Sequence, residues 1–284
     1  MSLNYFPLDR TVVRLTGDDR VSFLNNFCTA DIKLLQTNQI SEAFILNEKG
    51  KLLAHLFVFC HADSLELNTV AGQGETIMTH LDRYLIREDV TMTDISMERK
   101  HIFVFGDGLD AAGAVEFNQF TEGEIQAANC EAAGVGVLGS AAAAEPLVEW
   151  ASSLGATETD EAAVHLYRVR AGTPLFGTDS SSDNLPQELV RDAKAISFTK
   201  GCYLGQETVA RIDALGRVNK LLVRLQSSSA IEVGGTLELE GKSVGTLSSV
   251  VNDGADWFGL AIVKRAAAKS GTVLKAGAVD VTVV

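Results

Sequence analysis

A single thiol stands in a twelve-residue run that core packing does not explain: Lys200-Gly201-Cys202-Tyr203-Leu204-Gly205-Gln206-Glu207-Thr208-Val209-Ala210-Arg211. The run has no clean apolar period. Glycine permits positive φ and close backbone approach, so Gly201 and Gly205 are expected to hold Cys202 and Tyr203 in a conformation other residues would resist. Lys200, two residues before the thiol, favours its thiolate. A lone cysteine is otherwise a small buried hydrophobe, and on the residues alone both readings of Cys202 stand. Glu207 suits the first turn of a helix running to Ile212. Arg168, Arg170, Lys194, Lys200 and Arg211 are near enough in sequence to line a basic cleft, or else to coat solvated helix faces.

Other chemistry finds less support. Gly134-Val135-Gly136-Val137-Leu138-Gly139 matches the dinucleotide fingerprint, with Glu158 about twenty residues on. The segment before it, Ala128 to Ala133, is polar and alanine-rich where a buried strand is required, so a flexible connection between subdomains is expected there. No nucleophile elbow or P-loop is present. Cys28, Cys60, Cys130 and Cys202 form no Cys-x-x-Cys pair, and the five histidines show no His-Glu-x-x-His pattern, so no metal site is expected. Aromatic residues are sparse and not interleaved with basic ones, which leaves a nucleic-acid face unsupported.

The elements around these residues read as a mixed fold. Val12 to Leu15 is a strand, followed by a helix whose Val21, Leu24 and Phe27 fall near helical spacing. Ser41 to Asn47, Lys51 to Cys60 and Leu65 to Val70 form an antiparallel meander. Ile77, Met78, Leu81, Tyr84 and Leu85 mark an amphipathic helix. Strands at Val90 to Ile95 and His101 to Phe105 follow, then helices over Ala141 to Leu154 and Glu161 to Arg170, the second stopping at Gly172. Gly177 to Leu185 is a polar loop, either a cleft cover or a connector. After Gly216 short alternating strands suggest a small barrel or sandwich. Without strict βαβ alternation the fold class is α+β.

At 284 residues the chain is long enough for two or three domains. A net charge of −13 disfavours direct nucleic-acid binding. Residues 217–284 hold eight Lys and Arg against six Asp and Glu, so the negative charge lies in residues 1–216 and a boundary falls near Gly216. The most apolar stretch, Leu52 to Cys60, is interrupted by His55 and too short to span a bilayer. Met1 to Arg10 lack the basic start and apolar core of a signal peptide. A cytoplasmic protein without membrane contact is expected, its thiols free.

The Lys200–Arg211 run resembles the signature of the YgfZ/GcvT-like folate-binding family. Further pieces arrive in the family's order: Phe23-Leu24-Asn25-Asn26, Thr29-Ala30-Asp31, Gly50-Lys51, Tyr84-Leu85, Tyr167 to Pro174, Gly177-Thr178-Asp179, Leu185-Pro186-Gln187-Glu188 and Ile196 to Thr199. The resemblance implies an α+β assembly of folate-binding domains, with a ferredoxin-like subdomain, over residues 1–216. A C-terminal β-barrel occupies 217–284, and the domains surround a central cleft. It implies a protein that binds tetrahydrofolate or a derivative. Such a protein supports assembly or repair of iron–sulfur clusters in client proteins, alone or with assembly factors, and affects tRNA modification indirectly. Lys200 and Arg168 are then expected to attract the folate glutamate tail, as point charge and planar fork. Glu188 is expected to contact the pterin and Tyr203 to stack on the ligand or simply pack. Cys202 becomes a redox-active thiol or a transient cluster contact.

The rival reading is a folate-dependent aminomethyltransferase or other one-carbon transferase of the same superfamily. Those enzymes carry an Asp-Asp pair after the glycine of the first hairpin. Here Ala54-His55 stand in that place. Alanine cannot take a proton; a histidine can, with a different charge and reach. The pocket is therefore expected to persist without that carboxylate chemistry.

Overall fold

The computed structural model describes residues 3–106, 125–129 and 136–284, with the side chains of residues 125–129 and 136–137 excluded. The chain opens with β1 (Asn4–Leu8), β2 (Arg10–Thr16), α1 (Arg20–Asn25), β3 (Ile40–Leu46), β4 (Leu52–Cys60), β5 (Leu65–Val70), α2 (Gly74–Asp82), β6 (Thr91–Asp94) and β7 (Lys100–Phe105). It continues through β8 (Ile125–Asn129), β9 (Gly136–Ala141), α3 (Ala144–Ser153), β10 (Thr157–Glu158), α4 (Glu161–Ala171), α5 (Asp192–Ala195) and α6 (Gln206–Ala214). The last elements are β11 (Lys220–Ser227), β12 (Thr236–Leu239), β13 (Lys242–Asn252), β14 (Trp257–Lys264), β15 (Val273–Ala276) and β16 (Val279–Val283).

These strands form two open sheets, in orders β3-β4-β5-β2-β6 and β10-β1-β7-β9-β8, and a closed barrel of order β11-β14-β13-β12-β15-β16. The α+β class and the C-terminal barrel are as the sequence implies. In the first sheet the period of two separates the faces. Ala43, Ile45, Ala54, Leu56 and Val58 pack with Phe23, Leu24, Ile77 and Leu81 beneath α1 and α2. Ile40, Phe57 and Phe59 turn to the opposite face and pack on Leu138 of the second sheet.

The second sheet brings two departures from expectation. The connector expected at Gly134 to Gly139 is, from Gly136 onward, strand β9, paired with β7; Gly134, Val135 and Cys130 lie outside the described residues. A Cβ on Gly139 would stand 2.8 Å from the Trp150 ring and 3.1 Å from Leu147, so this glycine lets α3 approach the sheet. Strand β1 escapes the sequence reading because Pro7 sits in it. β10 pairs only with Asn4 and Tyr5, so the missing N–H of Pro7 leaves no gap in a ladder.

Helix α4 is the hub. Its Asp160 cap accepts from Ala163 N, and Gly172 closes it in the left-handed conformation. Val164 and Tyr167 pack against Phe103 and Phe105 of the second sheet. Leu166 and Val169 pack against Val251, Phe258 and Leu260 of the barrel. A helix partnered on two sides shows no single apolar stripe, which is why its role was not visible in its periodicity. Among the described residues, no helix is long and apolar enough to cross a membrane.

Candidate functional site

A cavity of about 150 Å³ opens where β4, β7, β9, α4 and the segment after α4 meet. Its walls are apolar and partly aromatic, with Phe57, Phe103, Leu138, Pro174 and Phe176. Arg10, His55, Arg168 and Thr173 bring polar groups to it. A sealed volume on the order of 150 Å³ takes one aromatic ring; this hollow is partly open, so a second ring and a tail can extend from it. A larger hollow of about 660 Å³ shares Leu8 and Arg10, but its charges are of both signs and it lacks aromatic walls.

His55 is the centre of the polar wall. Its Nε2 lies 2.7 Å from Oε1 of Glu42. Arg191 donates from Nε to Oε1 of Glu42 and from Nη2 to Oε2, the latter at 2.6 Å. Burial alone would raise the Glu42 carboxyl; the hydrogen bonds from His55 and Arg191 outweigh it and pull it down to about 2. Glu42 faces Phe57 and Phe44 faces His55 across the β3–β4 pair, so the Glu42–His55 hydrogen bond is a diagonal cross-strand contact. The ring is held between Phe44, with centroids 4.9 Å apart, and Phe57, at 6.0 Å. Ala54 points to the opposite face and is fully buried in the core. Arg191 reaches Glu42 from beyond Val190, a β-branched residue at φ 57°. That conformation costs on the order of 1–3 kcal/mol and persists only where surrounding structure enforces it.

Arg168 lines the same cavity, but its guanidinium is already engaged. Nη1 donates to Thr173 O at 3.2 Å and to Asp179 Oδ2 at 2.7 Å, and Nη2 donates to the Ser249 hydroxyl at 2.8 Å. The polar loop is therefore tied down by a buried carboxylate, which Ser248 and Ser249 of β13 also cap at 2.6 Å. Glu188 sits on the turn Pro186–Leu189, buried, and accepts from Asn184 Nδ2 at 2.8 Å. It does not line the His55 cavity.

The thiol run lies elsewhere. None of its residues lines the His55 cavity. Lys200 is buried, and its Nζ donates to the carbonyls of Asn25 at 2.6 Å, Cys28 at 3.0 Å and Ala30 at 2.5 Å. All three ammonium protons are used, which leaves none for the folate tail expected to meet this lysine. Its task is to hold the chain that follows α1. Nζ also stands 5.2 Å over the Tyr203 ring. Tyr203 packs with Phe44, Leu46, Leu52 and Ile196, and burial pushes its hydroxyl up to about 12. Cys202 is exposed, so it is not a core hydrophobe.

The two glycines of the run also differ. A Cβ on Gly201 would meet nothing within 4 Å, so no steric demand fixes that position. Gly205 has φ 80°, and its Cβ would fall 2.6 Å from Asn47 O and 2.9 Å from Gly50 Cα. Gly50, at φ 74°, faces it from the β3–β4 turn. The two turns interlock through paired glycines. Gly205→Ala is expected to cost about 2 kcal/mol, from the left-handed strain and the backbone collision together, measured as a lowered urea midpoint. Gly201→Ala is expected to stay within about 0.5 kcal/mol of the parent.

Glu42 and Arg191 were missed at the sequence level. The available signal was a carboxylate inside the otherwise apolar strand Ile40–Leu46. Among the described residues, no group of three or more His, Cys, Asp or Glu side chains could hold a metal ion.

No family model matches the chain. It is similar to the tRNA-modifying protein YgfZ of Aliivibrio fischeri, 30% identical over 230 residues that cover 77% of this chain and 69% of the relative. The YgfZ protein of Yersinia enterocolitica is 28% identical over 242 residues, 81% of this chain and 73% of its own. A putative chloroplastic transferase of Arabidopsis thaliana is 27% identical over 296 residues, 93% of this chain and 66% of its own. Among solved structures, the glycine cleavage system aminomethyltransferase T of Bartonella henselae matches with a TM-score of 0.83. At 18% identity, covering 99% of this chain and 85% of that one, it shows a shared fold. On its similarity to the YgfZ proteins, the chain belongs to the YgfZ/GcvT-like family.

Proposed function

We propose that this chain binds a reduced folate, tetrahydrofolate or a derivative, in the His55 cavity. In that state it supports assembly or repair of iron–sulfur clusters in client proteins, in the cytoplasm. Any effect on tRNA modification then runs through such clients, since a chain of net charge −13 is poorly suited to hold RNA itself. The observation that carries the reading is the cavity: aromatic walls from Phe57, Phe103 and Phe176 suit a flat heterocycle, with Arg10, His55 and Arg168 at the wall. Arg168 contributes as a fixed positive charge, its donors being engaged, while a direct ligand contact by Glu188 or Lys200 is not part of this reading. Calorimetric titration with tetrahydrofolate and its 5-formyl form tests it. One-to-one binding of either is expected; no heat with both, from a folded protein, would end the folate reading.

Cys202 is exposed on the family's signature loop, where a partner or oxidant can reach it. Cys202→Ala is expected to leave folding and folate binding unchanged while lowering the activity of iron–sulfur enzymes under oxidative stress. Normal activity of those enzymes in such cells would remove the thiol from the mechanism. A second reading, one-carbon transfer, is favoured by the His55–Glu42 pair on the cavity wall. In it the folate nitrogen attacks the carbon of an aminomethyl donor, the bond from that carbon to the donor's amine breaks with the electron pair leaving on the amine, and His55 takes the proton that the folate nitrogen loses as the new N–C bond forms. Tetrahydrofolate-dependent methylene transfer, abolished by His55→Ala, would select this reading over the first.

A further inference from the structure

We infer that Glu42 and Arg191 are positioning residues that lock His55 in one tautomer, so that the cavity meets a lone pair on Nδ1 and selects a heterocycle that donates an N–H to it. The inference rests on the folate reading of the cavity and names the polar contact by which that ligand is chosen.

A carboxylate accepts hydrogen bonds and donates none when ionised. Arg191 engages both oxygens of Glu42, and with His55 it keeps the carboxyl ionised at neutral pH. The proton in the 2.7 Å contact between Glu42 and His55 therefore belongs to Nε2. In a neutral imidazole with Nε2 protonated, Nδ1 is the acceptor. Phe44 and Phe57 restrain the ring from either side. The ring lines the cavity while Nε2 is committed to Glu42, which leaves Nδ1 as the nitrogen available to a ligand. Arg10 and Arg168 have their own protein partners. The reduced pyrazine ring of tetrahydrofolate offers N–H groups to such an acceptor; acylation at N5, as in the 5-formyl form, removes one of them.

Nitrogen-15 NMR of histidine-labelled protein at mildly alkaline pH reads the tautomer directly and needs no variant. Before ligand is added, His55 is expected to show a pyridine-type Nδ1 and a pyrrole-type Nε2. Tetrahydrofolate should shift the Nδ1 resonance toward the hydrogen-bonded position. Glu42→Gln is expected to blur the tautomer preference, and Arg191→Lys, which keeps the charge, to do so less. His55→Phe should weaken tetrahydrofolate binding roughly tenfold, the loss of one buried hydrogen bond, with a smaller loss for the 5-formyl form. A ring protonated on Nδ1 under these conditions would overturn the inference. So would tetrahydrofolate that binds without moving the Nδ1 resonance, and in that case the folate reading survives. If neither folate binds, the folate reading falls and takes the ligand half of the inference with it, while the tautomer is still settled by the unliganded spectrum.

Discussion

Asp179→Ala is expected to destabilise the protein by about 3–5 kcal/mol, the cost of leaving a buried charge without its partner. The Asp179 side chain is fully buried, and each of its oxygens has two donors. Oδ2 accepts from Arg168 and from the Leu175 amide at 2.9 Å, and Oδ1 accepts from Ser248 and Ser249. Those donors come from α4, the loop after it and barrel strand β13, so one carboxylate joins three parts of the molecule. Its loss strands the Arg168 guanidinium, itself only 8% exposed, at the edge of the cavity. Urea unfolding checks the value. Trp150 on α3 and Trp257 on β14 give separate fluorescence reports once each is kept alone by substituting the other with Phe. Both should move to lower urea, the barrel report together with the sheet report. Ser249→Ala, which removes one donor to Asp179 and the acceptor of Arg168 Nη2 but no charge, should cost about 2 kcal/mol. A loss under 1 kcal/mol for Asp179→Ala would mean the network is not what couples the barrel to the rest.

The same network shows what a sequence can and cannot say. The barrel was legible because its strands alternate and are punctuated by turns such as Glu240-Gly241-Lys242, and alternation is a local property. The thiol run stood out because its residue types follow no apolar period. Its detailed tasks were not legible. Lys200 meets carbonyls 170 to 175 residues away, and Tyr203 fills a gap between Phe44 and Ile196. Spacing along the chain carries no trace of either contact. Arg191 and Glu42 are 149 residues apart, and their pairing follows from the left-handed turn at Val190 and the face of β3. Pattern does reveal that a charge inside an apolar strand must find a partner. It does not reveal which. The cavity was hardest of all, since its walls come from both sheets, α4 and a loop.

Acid should unfold this protein steeply, and mainly through two carboxylates. Glu42 and Glu66 are both buried and both held at about 2, against an ordinary 4.5. Burial would raise each; His55 and Arg191 reverse that for Glu42, and His61 and Arg99 for Glu66. A carboxyl depressed in the folded state stabilises it above the unfolded value, and that contribution is lost as pH falls from about 4.5 toward 2. Each is worth roughly 3 kcal/mol at neutral pH as an upper bound. His101 adds to the loss. Burial first, then Arg10 and Arg99, lower it to about 3, so the unfolded chain takes up a proton there from about pH 6.5 downward. Asp192 works the other way: burial and then Asp213 raise it to about 6, so its contribution improves as pH falls from 6 to its ordinary 3.8. Between about pH 6.5 and 4.5 these two largely offset one another, and stability should change little. Near pH 3.5 the unfolded chain holds about two more protons than the folded one, a slope of roughly 3 kcal/mol per pH unit. Urea midpoints measured across this range should therefore trace a plateau and then a steep acid limb. Asp192→Asn should add stability at pH 7, about 1 kcal/mol for a partly exposed group, and no longer do so below about pH 4. A stability that stays flat down to pH 3 would mean that His55, Arg191, His61 and Arg99 do not hold the two carboxylates ionised, and the locked tautomer of His55 would lose its foundation with them.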